Sequence, residues 1–442
     1  MKRIFGAYAY GDGPRADCWW DETSDSSQYA PFAETGRTDV AIIGAGFTGI
    51  SAALHLAQAG VSVTVLDARH VGWGASGRNG GFCCLGGGMA SDAALDHRFG
   101  KAGRIAYHRT ELAAVEMVAH LIETYGINAD RHSRGETVLA HRAKDIAALR
   151  AHAVTVEENY GVPHYLHGAD DLDALGMGGP FHGGLTVEAG FGLNPRKYID
   201  GLARAAVLAG ARIYEKSSVS SLARQQGGTV LAVNGHSLTA DHVIIATNGY
   251  SSDDLPDWLA ARYLPSQSNV IVTRPLTDDE LAAAGWTTDQ MVYDTRNLLH
   301  YFRLMPDRRF LFGMRGGLLT GAQAEMRAAA KIRQDFEAMF PAWRGVETAH
   351  GWSGMVCLAR DMLPFVGQVP DHSGLWAALC YHGNGVAMGT YSGALLAQLV
   401  QGRTPDMPYP AAMQTPLRRF ELGRFRRAVM PLAYAGLMLA DR

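Results

Sequence analysis

Two short apolar runs separated by one amphipathic segment dominate the N-terminal part of the chain. The runs at 39–43 (DVAII) and 61–66 (VSVTVL) are apolar enough to form buried strands. Between them, Ile50, Leu54 and Ala57 recur at the three- and four-residue spacing of a helix with one buried face. The pattern therefore predicts a strand, a helix and a second strand in succession.

Further along the chain, the apolar pattern alternates between helical and extended segments. It predicts helices at 105–125, 142–160, 195–209, 322–339 and 386–401. It predicts strands at 211–215, 229–233, 242–246 and 374–379, and a hairpin formed by 299–305 and 309–314. The glycine-rich residues 170–193 are expected to be loops. Residues 1–36 are expected to form an irregular arm that Trp19 and Trp20 pack onto the body.

The order of these elements predicts an α/β fold with an α+β second domain. The first and last thirds have α/β character, whereas the middle mixes strands and helices without βαβ regularity. We therefore expect a Rossmann-type dinucleotide-binding domain interleaved with a substrate domain built on an antiparallel sheet. The dinucleotide domain is predicted to be discontinuous and to consist of residues 36–104, 186–262 and 346–442. The substrate domain is predicted to consist of 105–185 and 263–345. The arm, residues 1–35, precedes both.

A glycine-rich turn joins the first predicted strand to the first predicted helix. The sequence GAGFTG at 44–49 fits the pattern G-x-G-x-x-G. Gly44 permits the sharp turn, Gly46 lets the backbone approach a pyrophosphate, and Gly49 lets helix and strand pack closely. Asp67 ends the second strand, where a carboxylate accepts hydrogen bonds from ribose hydroxyls. Because a helix N-terminus also attracts phosphates, this unit predicts a dinucleotide site.

The composition limits the classes of function. The chain has 442 residues, 47% of them hydrophobic, which is enough for two or three domains. A net charge of −3 gives no argument for nucleic acid binding, and no apolar stretch has the length of a transmembrane segment. The five cysteines include no C-x-x-C pair, and no apolar segment follows Met1 to Arg3. We therefore expect a cytoplasmic protein with reduced thiols, no metal site and no secretory signal.

A second glycine-rich segment follows the dinucleotide unit directly. GWGASGRNGGF at 72–82 brings backbone close to a flat or charged ligand, and Ser76, Arg78 and Asn79 add hydrogen-bond donors. A nicotinamide domain would continue with another helix and strand. The helix predicted at 386–401 is followed by a glycine and three prolines rather than by a strand ending in an acid, which argues against a second site for NAD(P)H.

With these segments, the sequence resembles the D-amino-acid-oxidase-like (DAO/glycine oxidase) family of FAD-dependent oxidoreductases, and within it the γ-glutamylputrescine oxidase-like branch. The resemblance covers nearly the whole chain from about residue 36. The segments that carry it are GAGFTG at 44–49, GWGASGRNGGF at 72–82, LNPRKY at 193–198, VIIATNGY at 243–250, YFR at 301–303, WSG at 352–354, Asp361, LP at 363–364, Gly367 and HGNGV at 382–386. It implies a flavoenzyme that oxidises the C–N bond of a small-molecule amine and passes the electrons to dioxygen or another acceptor.

The resemblance implies that several parts of the chain hold FAD. The cofactor-binding residues it implies are Gly44, Gly46, Phe47, Thr48, Gly49, Asp67, Ala68, Gly74, Ala75, Ser76, Arg78, Asn79, Gly80, Gly81, Phe82, Val219, Ala246, Thr247, Asn248, Trp352, Asp361, Gly383, Asn384, Gly385 and Val386. Residues 44–49 are expected to hold the ADP half together with Asp67, and 74–82 to extend toward the isoalloxazine. The start of the helix at 386–401 is expected to face the edge of the flavin that becomes anionic on reduction.

Four polar side chains are the candidate substrate contacts: Tyr250, Tyr301, Arg303 and His382. Tyr301 and Arg303 lie two residues apart on a predicted strand and therefore on one face. Arg303 is expected either to bind a carboxylate or to form a structural salt bridge. Tyr301 and His382 are the candidate catalytic residues, although hydride transfer from a neutral amine needs no dedicated base. Met305 stands where glycine and D-amino-acid oxidases carry a carboxylate-binding arginine, which favours a substituted amine over a simple α-amino acid.

The sequence leaves two alternatives to this amine oxidase. One is an oxidase of the sarcosine, glycine or D-amino-acid type. The other is a flavin dehydrogenase that passes electrons to a membrane carrier or partner subunit. A basic tail argues for the latter: Arg418, Arg419, Arg424, Arg426 and Arg427 precede the apolar run 430–439. A terminal helix packed on the body, with solvated arginines, is the favoured interpretation of that tail. Some relatives use a lysine above the flavin to activate dioxygen, and segment 263–273, which would supply it, contains none; this favours weak reactivity with dioxygen. Cys83 and Cys84 directly follow the flavin loop, so covalent attachment of the flavin stays open.

Overall fold

The computed structural model describes residues 1–317 and 319–441. Its strands are β1 Gly36–Ile43, β2 Val63–Leu66, β3 Phe82–Cys83, β4 Glu136–Leu139, β5 His164–Gly168, β6 Gly183–Val187, β7 Phe191–Gly192, β8 Arg212–Tyr214, β9 Val219–Gln225, β10 Gly228–Val233, β11 His236–Ile245, β12 Leu264–Thr273, β13 Met291–Asp294, β14 His300–Leu304, β15 Phe310–Arg315, β16 Thr348–Leu358, β17 Phe365–Gln368 and β18 Leu375–Leu379. Its α-helices are α1 Phe47–Gln58, α2 Asp92–Thr124, α3 Ile146–Asn159, α4 Ala169–Ala174, α5 Pro195–Leu208, α6 Asp278–Ala284, α7 Ala322–Met339, α8 Ala387–Val400, α9 Ala411–Gln414 and α10 Met430–Ala440.

The first sheet has a parallel core in the order β18-β11-β1-β2-β8. The antiparallel strand β17 flanks β18, and β10 and β9 extend from β11. Ile43 lies opposite both Leu66 and Ile245, so three strands end at the same edge. Helix α1 packs against α5 and α8. This arrangement confirms the predicted Rossmann-type α/β sheet.

Two glycines in the β1–α1 turn have no room for a side chain. Gly44 has a φ of +110°, and a Cβ there would lie 2.7 Å from the Ala246 carbonyl oxygen. A Cβ on Gly49 would lie 1.9 Å from the Gly44 carbonyl oxygen. The turn and the close approach of helix to strand therefore depend on glycine, as the motif predicts.

The second sheet has the order β16-β12-β15-β14-β13-β4-β6-β5 and is antiparallel except for the β13–β4 pair. Alternate side chains face opposite sides. Phe302 and Phe312 belong to an aromatic core with Phe336 of α7. Tyr301 and Arg315 face the other side, where they line a cavity. The second sheet thus supplies the wall that faces the glycine-rich segment 72–82.

Most predicted elements appear within a few residues of their expected ends. The helix predicted at 322–339 is α7, and the predicted hairpin is β14–β15. The loop prediction for 170–193 is wrong in part, because α4 ends there and β6 and β7 lie within it. The proposed domain boundaries stay a prediction: β16 pairs with β12 of the second sheet, although its residues fall in the range 346–442.

The N-terminal arm consists of short 3₁₀ turns packed on the body. Trp20 is buried, donates its Nε1–H to the Asn79 carbonyl oxygen at 2.8 Å and meets Trp352 edge to face. Arg3 and Tyr10 line a cleft at the edge of the first sheet, which the sequence did not indicate. In the described part of the chain, no helix has both the length and the apolar character that a membrane span requires.

Candidate active site

A cleft opens at the carboxyl edge of the parallel strands, where open α/β sheets bind ligands. The β1–α1 turn forms one wall, and the residues that follow β2 and β11 form others. The residues just before α8 close its far end. The predicted cofactor-binding residues that line this cleft are Gly44, Gly46, Phe47, Thr48, Asp67, Ala68, Gly74, Ala75, Ser76, Asn79, Val219, Ala246, Thr247, Asn248, Gly383, Gly385 and Val386.

The remaining predicted cofactor residues lie elsewhere. Those that line a neighbouring cavity instead are Arg78, Gly80, Phe82 and Asn384. Gly49 lies beneath the β1–α1 turn, and Gly81 packs against the Leu193 carbonyl and Arg303.

The structure does not bring Trp352 or Asp361 to the cleft. The indole of Trp352 is buried and donates a hydrogen bond to the Arg78 carbonyl oxygen at 2.7 Å, so it supports the loop from behind. Asp361 forms ion pairs with Arg98 at 3.3 Å and Arg418 at 3.5 Å. Both predictions of direct cofactor contact are therefore corrected: these side chains are engaged with protein groups away from the cleft.

Hydrogen bonds fix the two glycine-rich segments relative to each other. Ser76 Oγ accepts a hydrogen bond from the Phe47 N–H at 2.9 Å, at the start of α1. Asp67 accepts one from the Ala45 N–H at 2.8 Å and one from the Arg69 N–H at 2.7 Å. Burial raises the pKa of the Asp67 carboxyl despite these bonds. The carboxylate is thus held at the mouth of the turn, where a ribose would lie.

The cleft retains polar groups that the protein leaves unpaired. Ser252 Oγ and Arg3 Nε are buried and have no hydrogen-bond partner among the described residues, and both side chains line the cleft. Buried donors are normally satisfied, so their ligand is expected to carry acceptor oxygens or nitrogens. Together with the glycine turn and Asp67, this donor set fits a dinucleotide such as FAD.

A second cavity, of about 260 Å³, adjoins the cleft. The residues that line both are Ala75, Asn79, Met355, Val356, Gly383 and Val386. The far wall is formed by the second sheet, through Ser268, Tyr293, Tyr301, Arg315 and Glu136. A ligand that fills the cleft therefore has one end at the junction, facing this cavity. A cavity needs roughly 10–15 Å³ to hold one water, so this one accommodates an organic molecule larger than glycine.

His382 lines this cavity as a neutral imidazole. Its Nε2 accepts a hydrogen bond from the Ala359 N–H at 3.3 Å, so the ring proton of the neutral form is on Nδ1. Nδ1 is buried and has no partner among the described residues. Burial and, secondarily, the Arg315 charge lower the pKa of His382 to about 3. The side chain therefore presents an N–H donor and does not act as a general base near neutral pH.

Tyr301 also lines the cavity as a neutral group. Its hydroxyl lies 3.0 Å from Ser268 Oγ, and burial raises the pKa of the phenol. Its ring meets Phe82 edge to face at a centroid distance of 5.5 Å. Tyr301 therefore serves as a hydrogen-bonding and packing surface in the wall.

Arg303 shares a sheet face with Tyr301, as predicted, but the structure does not bring it to the cavity. The chain at 80–82 lies between them: a Cβ on Gly80 would meet the Tyr301 ring, whereas one on Gly81 would meet the Arg303 guanidinium. Arg303 is fully buried and donates to the Leu193 carbonyl oxygen at 2.8 Å. The expected carboxylate clamp at Arg303 is therefore corrected: its guanidinium faces a separate cavity beside Trp20 and His132.

Tyr250 lies in the dinucleotide cleft instead of the second cavity, which is lined by Tyr301, Arg315 and His382 and is called the substrate-side cavity below. Its hydroxyl accepts a hydrogen bond from the Met355 N–H at 3.3 Å, and its ring meets Trp73 edge to face. The predicted substrate contact is corrected accordingly, because the ring is held among residues of the cofactor side.

Two charged residues of the cavity were missed from the sequence. Arg315 is paired with Ser268 across β15 and β12, and Glu136 begins β4. Alternation along β15 could have predicted the side of Arg315. Tyr301 of β14 pairs with Gly313 of β15, and Arg315 lies two residues after Gly313, so its side chain is on the same face as Tyr301. No motif marks Glu136, which reaches the wall only through the pairing of distant strands.

The chain matches the family model of the FAD-dependent oxidoreductases (DAO) over residues 39–399. This match covers most of the chain, including both glycine-rich segments and the start of α8. The chain belongs to the DAO family of FAD-dependent oxidoreductases. The family resemblance, the cofactor and the enzyme class expected from the sequence are thereby confirmed.

Individual relatives support this assignment. The chain is 30% identical to the probable oxidoreductase OrdL of Rhizobium meliloti (strain 1021), with 96% of this chain and 97% of that protein covered. It is also 30% identical to γ-glutamylputrescine oxidoreductase of Escherichia coli (strain K12), covering 88% and 92%. The crystal structure of glycine oxidase from Geobacillus kaustophilus has the same fold, with a TM-score of 0.71 at 21% identity and coverage of 87% and 100%.

Proposed function

We propose that the protein oxidises the C–N bond of a primary or secondary amine that carries an anionic group, such as γ-glutamylputrescine or an N-substituted amino acid. The likeness to γ-glutamylputrescine oxidoreductase supports this class of substrate. The observation that carries the proposal is the position of Arg315, whose guanidinium lies in the substrate-side cavity and has no carboxylate partner within the part of the chain that the structure describes. A sarcosine-, glycine- or D-amino-acid-oxidase type of activity is the nearest alternative.

Arg315 is the group suited to the anion. Its guanidinium donates hydrogen bonds to the His382 carbonyl oxygen at 3.3 Å and to Met89 Sδ at 3.6 Å. In the ranges 1–317 and 319–441, no carboxylate lies within ion-pairing distance of it, and burial lowers the pKa of the guanidinium. A planar guanidinium that is poorly paired and partly removed from water favours a carboxylate ligand.

The residues of the cavity position the amine and keep it dry. When bound, FAD supplies the acceptor for the hydride that leaves the carbon beside the nitrogen, and water then hydrolyses the imine product. Tyr301 stays protonated and the pKa of His382 is too low for it to hold a proton near neutral pH, so neither removes a proton from an ammonium. The reacting amine must therefore bind in its neutral form, which the apolar part of the cavity around Phe82, Val270 and Leu299 favours.

The variant Arg315→Ala tests the role of this arginine. We expect KM for γ-glutamylputrescine to rise roughly 10- to 100-fold, because a hydrogen bond to a charged group is lost. KM for N-butyrylputrescine, which keeps the reacting amine and lacks the carboxylate, should stay unchanged. Arg315→Lys should restore only part of the difference, since a point charge cannot form the bidentate pair. An equal rise in KM for both amines would contradict the assignment.

A second candidate function, electron transfer at a membrane surface, is favoured by one observation at the C-terminus. Helix α10 carries large apolar side chains that are strongly exposed: Leu432 is 80%, Leu439 64% and Met438 52% exposed. The exposed cations Arg418, Arg419 and Arg424 precede it, whereas Arg426 is buried in an ion pair with Asp253 at 2.7 Å. Apolar side chains beside cations match the interface of an anionic bilayer.

Flotation with vesicles that contain an anionic phospholipid tests this surface. We expect the protein to float with the vesicles at low salt, and the double variant Leu432→Gln/Leu439→Gln to remain in the dense fraction. Leu208→Gln is a matched control, because Leu208 is 88% exposed on α5, outside the tail. No co-migration of the unaltered protein at low salt would exclude the membrane version, and a dimer disrupted by the same double variant would assign the surface to a second copy.

A further inference from the structure

The second sheet presents a row of polar side chains to the substrate-side cavity. Strand pairing places Ser268 opposite Arg315 and Tyr301 opposite Tyr293, and β4 follows β13 in the sheet. Glu136, at the start of β4, lies on the same face of the sheet three strands away from Arg315. The register also places it four residues along the strands from the position level with Arg315, so the two backbones are roughly 19 Å apart at about 4.8 Å per strand and 3.3 Å per residue.

Glu136 is a buried acid with no cation beside it among the described residues. Its side chain is 6% exposed, and Oε2 has no hydrogen-bond partner among the described residues. Oε1 receives a long contact of 3.5 Å from the Tyr293 hydroxyl, and the Cys84 thiol is a second hydrogen-bonding neighbour of the carboxyl. No lysine, arginine or histidine forms an ion pair with it in the described ranges. A buried carboxyl oxygen that accepts no hydrogen bond from the protein is expected to accept one from a ligand.

The location of Glu136 separates it from the reacting centre. The residues shared by the cleft and the cavity mark where the flavin end of the cofactor meets the substrate, and Glu136 is not among them. It lies on the sheet side, with Tyr293 and Cys84 as neighbours. A cation held there is therefore a different group from the amine that is oxidised.

We propose that Glu136 binds a second, non-reacting ammonium group of the substrate, and that the substrate is an amine bearing an amino acid head group whose carboxylate lies at Arg315. This inference rests on the proposed function and specifies its substrate class. Glu136 and Arg315 line the same cavity from strands too far apart for the two side chains to pair directly, so each is left to a charged group of the ligand. γ-Glutamylputrescine has this chemistry: a terminal amine, an amide-linked chain, and an α-ammonium next to an α-carboxylate.

The protonation of Glu136 agrees with this assignment. Burial raises the pKa of the Glu136 carboxyl to about 8, with a further contribution from the Glu111 charge. The acid is therefore largely neutral while no cation is present, which limits the cost of burying it. An ammonium in the cavity favours the ionised form and gains a charge-assisted hydrogen bond.

Four conjugates of putrescine test the inference with the FAD-loaded enzyme. γ-Glutamylputrescine carries both charges, 4-aminobutyrylputrescine only the ammonium, glutarylputrescine only the carboxylate, and butyrylputrescine neither. Substrate affinity and the rate of flavin reduction are measured anaerobically for each. For the unaltered enzyme, we expect γ-glutamylputrescine to bind about 10- to 100-fold more tightly than glutarylputrescine, the contribution of a charged hydrogen bond.

The variant Glu136→Gln keeps the shape of the side chain and the contact with Tyr293 while removing the charge. We expect it to weaken binding of the two ammonium-bearing conjugates by a similar factor and to leave the other two unchanged, with little change in the limiting rate of reduction. Equal affinity of the unaltered enzyme for γ-glutamylputrescine and glutarylputrescine would overturn the inference, even if the variant failed to fold. An equal loss for all four conjugates would place Glu136 at the reacting amine and overturn it as well.

The failure of the proposed function is a separate outcome. In that case none of the four conjugates reduces the flavin of the unaltered enzyme. If all four conjugates reduce the flavin, and each binds the unaltered enzyme and the Glu136→Gln variant equally well, amine oxidation stands and the assignment of Glu136 is wrong.

Discussion

Charged and neutral polar side chains have different roles in the wall of the substrate-side cavity. Tyr301 and His382 present neutral hydrogen-bonding groups close to the junction with the cofactor cleft. Glu136 and Arg315 supply opposite charges along the second sheet. Proton removal is not assigned to any of the four, so in the proposed reaction they select and orient a neutral amine.

The residues nearest the cofactor could be predicted, because they follow local glycine motifs. Asp67 and Ser76 lie where the motifs imply. The charged residues of the substrate side could not be predicted in the same way, since the cavity forms between strands distant in sequence. Arg303 shows what strand periodicity does not predict. The side chain lies on the predicted face of β14, but the chain at 80–82 separates it from Tyr301, so the two residues line different cavities.

The lowered pKa of His382 predicts a pH dependence of stability. Its pKa is about 3 in the folded protein, against an ordinary value of 6.5. Between these values the unfolded chain binds a proton that the folded chain does not, so stability falls as the pH drops from 6.5 toward 3. His382→Gln should reduce the slope of unfolding free energy against pH by up to one proton, about 1.4 kcal/mol per pH unit.

Urea unfolding of the FAD-loaded protein at several pH values between 4 and 7 measures this slope. The exposed His97 provides the control, and His97→Gln should leave the slope unchanged. A slope that is the same in His382→Gln and in the unaltered protein would show that His382 is protonated normally in the folded state.

At the scale of elements, local patterns were sufficient for the parallel sheet and insufficient for parts of the second sheet. The β1–α1–β2 unit and α7 have clear periodicity and appear where predicted. β6 and β7 lie in a glycine-rich stretch that resembles a loop, and their pairing partners β4, β5 and β3 come from elsewhere in the chain. Such strands are stabilised by tertiary pairing, which a local pattern does not contain.

The close contact between α1 and its preceding turn predicts a severe effect of Gly49→Ala. The added Cβ would lie 1.9 Å from the Gly44 carbonyl oxygen, so the helix must move away from β1. We expect a loss of stability of about 1–3 kcal/mol from overpacking and weaker retention of FAD. Thermal unfolding and flavin content after gel filtration measure both quantities.

Gly36→Ala is the matched control, because a Cβ at Gly36 meets nothing within 4 Å. Both substitutions add one methyl group near β1, and only the first should change stability or flavin content. Full flavin content in Gly49→Ala would contradict the role of this turn in positioning the cofactor.

At the scale of the whole molecule, the proposed active site lies between the two sheets. The first sheet provides the cofactor cleft at the carboxyl ends of its parallel strands, and the second sheet covers the adjoining cavity. The N-terminal arm completes the cleft with Arg3 and Tyr10. The family model over 39–399 spans both sheets, and therefore both the cleft and the adjoining cavity.

Anaerobic mixing of the purified yellow protein with γ-glutamylputrescine is the decisive experiment for amine oxidation. We expect the visible absorbance of the oxidised flavin to be lost as the amine is oxidised, with saturation at increasing amine concentration and no requirement for NAD(P)H. An oxidised flavin spectrum that is unchanged by γ-glutamylputrescine and the related amines, in protein that retains its full content of FAD, would contradict it.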